Sequence, residues 1–144
     1  MTDSKRLALS RCGYVESPAG HGKTRLIANA VAENCAHELI LTHTHAGVNA
    51  LRKHLREVGV SPRCCQIDTI AGWALRFCNA YPQTSGIPLT QKPQEINWQE
   101  VYKGARAVLQ TPVRAVVGTS YSGLYVDEYQ DCTKDQHDLI MECS

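Results

Sequence analysis

Ser17-Pro-Ala-Gly-His-Gly-Lys-Thr24 lies between a short β-prone stretch, Cys12-Gly-Tyr-Val-Glu16, and a helical pattern that starts at about Lys23. A strand, a glycine-bearing loop and a helix N-terminus in that order aim a nest of backbone N–H groups at bound phosphate, and the helix dipole adds partial positive charge there. Gly20 and Gly22 lack a Cβ, so the chain can bend tightly and bring its backbone against phosphate oxygens. Lys23 is placed to reach the β and γ phosphates of a nucleotide, and the Thr24 hydroxyl to ligate Mg²⁺. Ser17 stands at the first position of G-x-x-x-x-G-K-T, so the match is to the relaxed form of that pattern. Ser17, Pro18, Ala19, Gly20, His21, Gly22, Lys23 and Thr24 together form the expected phosphate cradle.

After the loop, Leu26, Ile27, Ala30 and Val31 line one face of a helix running to about Cys35. Glu38 to Thr42 is a nearly continuous apolar run suited to a strand covered on both faces. The next helix sets Val48, Leu51, Leu55 and Val58 against Arg52, Lys53 and Arg56, and Gly59 and Pro62 stop it. Cys64 to Thr69 reads as a further strand and Ile70 to Ala80 as a helix, while residues 81–96, rich in Pro, Gln, Ser, Thr and Gly, read as a loop. Asn97-x-x-Glu100 has the form of a capping box opening a helix with Trp98, Val101, Tyr102, Ala105, Val108 and Leu109 on its apolar face. Thr111-Pro112 predicts a short helix through Val117, Gly123 to Asp127 a last strand, and Thr133 to Cys143 a closing helix. Repeated β-then-α order predicts an α/β fold with a parallel sheet flanked by helices.

The chain has 144 residues, which predicts one domain around one core. Fifteen basic and 14 acidic side chains nearly cancel, which excludes a polybasic tail as the dominant theme. The balance is uneven along the chain: residues 1–126 carry 14 basic and 8 acidic groups, and 127–144 carry 1 and 6. No apolar run approaches the roughly 18 residues needed to cross a bilayer, so no membrane is expected. Seven cysteines without a C-x-x-C pair fit free thiols in a reducing compartment, and the three-residue apolar stretch near the N-terminus is too short for a secretory signal; a cytoplasmic location is expected. Cys64 and Cys65 with His43 and His45 make zinc conceivable, but adjacent cysteines rarely both ligate one ion and no second pair exists.

Leu124-Tyr-Val-Asp-Glu-Tyr-Gln-Asp131 places two carboxylates at the end of an apolar strand, where a parallel sheet exposes its ligand-binding edge. Asp127 is expected to share the Mg²⁺ with Thr24, Glu128 to orient and deprotonate an attacking water, and Gln130 to sense the γ-phosphate. Lys23, Asp127, Glu128 and Gln130 are then the candidate catalytic set. Asp131 and Thr133 are read as caps of the final helix.

The phosphate loop, Leu-Thr-His-Thr-His-Ala-Gly-Val-Asn-Ala-Leu-Arg (41–52), Asp-Thr-Ile-Ala-Gly-Trp-Ala-Leu-Arg (68–76) and Val-Asp-Glu-Tyr-Gln-Asp (126–131) occur in the order found in UvrD/Rep-type superfamily 1 DNA helicases, and the chain resembles their N-terminal, RecA-like ATP-binding domain. The resemblance covers about residues 13–142. It implies a P-loop NTPase fold over 1–144, incomplete at its C-terminus, with a reduced insertion at about 78–120. It implies ATP and Mg²⁺ as cofactors and ATP-driven translocation on single-stranded DNA with duplex unwinding. Thr42, His43, Thr44 and His45, then Thr69 and Trp73, fall on its DNA-facing motifs. A second motor domain or a partner chain is implied as the source of arginines for the γ-phosphate, so the isolated chain is expected to have little unwinding activity. The chain departs from the family in two places: no glutamine precedes the phosphate loop, and Ala71 stands where a histidine is usual. The rival reading is a degenerate P-loop module that holds nucleotide to regulate a partner without turnover.

Overall fold

The computed structural model describes residues 2–9, 22–34, 36–88 and 92–143. The expected strand Cys12–Glu16 and the loop residues Ser17, Pro18, Ala19, Gly20 and His21 lie outside them. In place of the single core expected from length, the chain divides into two compact units, Met1–Asp68 with Tyr121–Asp127, and Thr69–Ser120 with Glu128–Ser144.

The first unit is α/β. Its three-stranded parallel sheet has the order β2-β1-β3, with β1 (Glu38–Thr42) between β2 (Cys65–Thr69) and β3 (Gly123–Val126). All five residues of β1 are buried, as the apolar run predicts for a central strand. β1 and β3 pair in parallel from Glu38↔Gly123 to Leu41↔Val126. Ile40 enters a cluster with Ile27, Ala28 and Val31 of α2 (Lys23–Asn34) and Leu51 and Leu55 of α3 (His45–Glu57). At about 1.5–3 kcal/mol per buried aliphatic side chain, this cluster is the main force holding the two helices on the sheet. Arg52, Lys53 and Arg56 are exposed on α3, as the helical spacing requires.

A helix absent from the expected elements, α1 (Asp3–Leu9), packs against α2. Its start is stabilised locally: the Thr2 hydroxyl accepts from the Lys5 amide at 3.4 Å, and Asp3 sits in the positively polarised first turn.

The second unit is helical. It contains α4 (Ile70–Ala80), α5 (Pro82–Ser85), α6 (Trp98–Leu109), α7 (Val113–Ser120) and α8 (Lys134–Cys143). α6 is its hub, packing against each of the other four. Ile70, Trp73, Ala74 and Cys78 of α4, Val101, Tyr102, Ala105, Val108 and Leu109 of α6, and Leu139 and Ile140 of α8 form the buried set. Asn97 caps α6 as predicted, its Oδ1 accepting from the Glu100 amide at 3.4 Å. The expected loop at 81–96 is partly helical, holding α5 and a 3-10 turn at Pro93–Glu95. Both open on proline, which lacks the N–H that a first helical turn leaves unpaired anyway. Ser85 pins the end of α5 by donating to the carbonyls of Cys78 and Pro82, each at 3.3 Å. Among the described residues, no helix is long and apolar enough to cross a membrane. Cys64 is disulfide-bonded, against the expectation of free thiols throughout; Cys65, Cys78, Cys132 and Cys143 are free.

Candidate nucleotide-binding site

The carboxyl edge of the sheet gathers the site residues that fall in the first unit. The Asp127 amide donates to the Leu41 carbonyl at 2.9 Å, continuing the β1–β3 ladder one residue past β3. The Asp127 side chain, 5% exposed, is therefore held at the strand end. Thr24, in the first turn of α2, donates its Oγ1 hydrogen to Asp127 Oδ2 at 3.1 Å. That bond joins two segments 103 positions apart in sequence. Buried carboxylates need such donors, since an unpaired charge taken from water costs several kcal/mol.

Gly22 precedes α2 with φ +79 and nothing within 4 Å of where a Cβ would stand. Backbone conformation alone therefore calls for glycine there. Lys23 is the first residue of α2, with its side chain partly buried. Thr24 and Asp127 supply one neutral and one anionic oxygen, a donor set suited to a hard divalent cation such as Mg²⁺. Among the described residues there is no cluster of three or more His, Cys, Asp and Glu.

The segment assigned to single-stranded DNA begins at the same edge. Thr42 is buried, its Oγ1 and Cγ2 facing Gly47. The Thr44 hydroxyl is engaged as the N-cap of α3, accepting from the Gly47 amide at 3.0 Å. His43 is half-buried and His45 exposed. Thr42 and Thr44 thus build the β1–α3 turn, while His45 presents its ring to solvent. In the second unit, Thr69 caps α4 by accepting from the Gly72 amide at 3.0 Å, and Trp73, 3% exposed, packs edge-on against Phe77. Both are engaged internally: the Thr69 oxygen in a cap, the Trp73 ring in packing rather than as an open face for a base.

Glu128 follows Asp127 and opens the last segment of the second unit. Its φ of 56 and ψ of 44 put it in the left-handed region, alone among the described non-glycine residues. That conformation costs on the order of 1–2 kcal/mol for a residue with a Cβ. Gln130 donates its Nε2 hydrogen to Glu128 Oε2, so the expected base and the expected sensor touch each other.

Two features are not foreshadowed by the sequence patterns. Glu38, at the head of the apolar run, is a 1% exposed carboxylate; Asn34 donates to its Oε1 at 3.4 Å, and it lies against Gly123. Burial first, and then the charge of Glu38, push the Cys65 thiol and the Tyr125 phenol upward in pKa. The second is a contact between Tyr129 and His137, whose hydroxyl and Nδ1 are hydrogen-bonded. Its only trace in the sequence is an eight-residue spacing across a turn.

Compared with known protein families and with curated protein sequences, the chain matches none.

Proposed function

We propose that this chain is a nucleoside-triphosphate-binding motor domain of the UvrD/Rep-helicase type, coupling ATP hydrolysis to movement on single-stranded DNA and to strand separation. The observation that carries the proposal is the hydrogen bond from Thr24 to Asp127, which unites the two motifs expected to share one cation. The left-handed Glu128 beside Asp127 adds to it, because strained backbone concentrates where a side chain must be aimed.

In this reading the phosphate loop and Lys23 bind ATP, and Thr24 and Asp127 hold Mg²⁺. When bound, that ion neutralises charge on the β and γ oxygens. Water attacks the γ-phosphorus, its proton passes to Glu128, the bond to the β–γ bridging oxygen breaks, and ADP and phosphate leave. His43 and His45 at the β1–α3 turn meet the DNA strand, and arginines from a second motor domain or partner chain complete the γ-phosphate site.

ATP turnover by the chain together with the second motor domain or partner chain that supplies the arginines, measured with and without single-stranded DNA, tests the proposal. Turnover that rises with DNA and disappears in Glu128→Gln supports a motor. Mg²⁺-dependent ATP binding with no turnover under either condition favours the regulatory nucleotide-binding module.

A further inference from the structure

Glu128 occupies a costly backbone conformation, and the second unit contains the parts that keep it there. The turn Tyr129–Asp131 is closed by the Asp131 amide donating to the Glu128 carbonyl at 3.0 Å and the Cys132 amide donating to the Tyr129 carbonyl at 3.0 Å. Those bonds, and the one from Gln130 Nε2 to Glu128 Oε2, act within the turn. Tyr129 ties the turn to α8: its hydroxyl is hydrogen-bonded to His137 Nδ1, and the two rings meet edge-to-face with centroids 5.7 Å apart.

His137 stands in the first turns of α8, which is itself firmly seated. Thr133 and Gln136 form a reciprocal cap: the Thr133 amide donates to Gln136 Oε1 at 2.9 Å and the Gln136 amide donates to Thr133 Oγ1 at 3.3 Å. Gln136 Nε2 also donates to the Tyr102 hydroxyl at 3.0 Å in a buried bond to α6. Rigid α6 and α8 thus hold His137, His137 holds Tyr129, and Tyr129 adjoins Glu128.

We propose that His137, acting through Tyr129, is a positioning residue for Glu128, fixing the backbone from which the carboxylate projects. The inference rests on the reading of Glu128 as the group that receives the water proton. Because Tyr129 and His137 are both exposed, their contact adds little apolar burial to the core. Losing it removes the tie between the turn and α8 while α6 and α8 stay packed. A base released from one orientation loses rate without losing nucleotide affinity.

The test compares wild type with Tyr129→Phe, His137→Ala and His137→Asn, the last offering an amide oxygen near the position of Nδ1. Steady-state ATP turnover is read as kcat and KM separately, alongside the backbone amide resonance of Glu128 without nucleotide. The expected result is a drop of about tenfold or more in kcat for Tyr129→Phe and His137→Ala, KM for ATP within about threefold of wild type, and recovery in His137→Asn. The Glu128 resonance should move in the first two variants and return toward wild type in the third. Unchanged kcat and an unchanged Glu128 resonance in Tyr129→Phe and His137→Ala overturn the proposal. If the wild-type protein neither binds nor turns over ATP, the functional reading fails; with or without turnover, the resonance decides the tether: a shift that His137→Asn restores upholds it, and no shift rejects it.

Discussion

Gly47→Ala tests how the β1–α3 turn is built. In a helix this exchange ordinarily stabilises by about 1 kcal/mol, because alanine loses less backbone entropy. Here the new Cβ would stand 2.6 Å from Thr42 Oγ1 and 3.2 Å from Thr42 Cγ2. Turning the Cβ hydrogen of Thr42 toward the position would drive Oγ1 or Cγ2 into packed surroundings, since Thr42 is 3% exposed and a β-branched side chain is restricted at χ1. Overpacking of this kind costs about 1–3 kcal/mol, which exceeds the propensity gain. The net expectation is a loss of about 1 kcal/mol, or roughly 3 °C in Tm for a chain of this size. Thr42→Ala removes both obstructing atoms, so a double-mutant cycle should show about 1–2 kcal/mol of favourable coupling between the Gly47→Ala and Thr42→Ala substitutions. Thermal melts of the four proteins measure this. A rise in Tm for Gly47→Ala alone, or coupling below about 0.3 kcal/mol, would show that Thr42 does not obstruct a side chain at this position.

Gly104→Ala should also destabilise, by about 1–3 kcal/mol, because its Cβ would meet the Ser85 carbonyl oxygen at 2.8 Å and α5 is pinned by Ser85; an unchanged or higher melting temperature contradicts this. Burial, then the charge of Asp131, lifts the Cys132 thiol from 9.0 to about 11, and burial, then Glu142, partly offset by Arg114, lifts Cys143 to about 12. At pH 8 their thiolate fractions are lower than that of a thiol at 9.0 by about 100-fold and 1000-fold, so iodoacetamide should label both slowly in the folded protein and rapidly in denaturant. Since both folded values are raised, their contribution to stability is complete below pH 9.0 and is lost as pH climbs toward 11–12; equal denaturation midpoints at pH 8 and pH 11 would argue against it. Glu38→Gln should lower the pH at which Tyr125 ionises, read by ultraviolet absorbance, because the carboxylate adds to burial in raising it.

Much of the fold is legible because its signals are local and periodic. The buried run Glu38–Thr42, the faces of α2 and α3, and the Asn97 cap follow from one-dimensional spacing, and α4 begins and ends where its pattern does. Helix α1 is legible only through Thr2 and Asp3, a capping signal without an apolar stripe to draw attention to it. Residues 81–96 read as a loop because proline and glycine punctuate them, yet proline at a first helical position starts α5 rather than preventing it. The buried Glu38 is a tertiary fact. A carboxylate in a strand is tolerated there because Gly123, its register partner on β3, has no side chain, and no spacing within either strand encodes that pairing. For the site, the residue types in the two motifs give the expectation that Thr24 and Asp127 serve one ligand, and the structure shows the two side chains hydrogen-bonded to each other. The left-handed Glu128 and the Tyr129–His137 contact depend on how the turn docks on α8, which a linear pattern does not record.

If Lys23, Thr24 and Asp127 serve one nucleotide and its cation, titration calorimetry of ATP into the wild-type chain, Lys23→Ala and Asp127→Asn, each with and without Mg²⁺, should show it. The expected result is Mg²⁺-dependent binding with one site in the wild type, lost in Lys23→Ala and no longer responsive to Mg²⁺ in Asp127→Asn. Binding of equal strength in all three proteins, or no binding by the wild type at millimolar ATP and Mg²⁺, would contradict it.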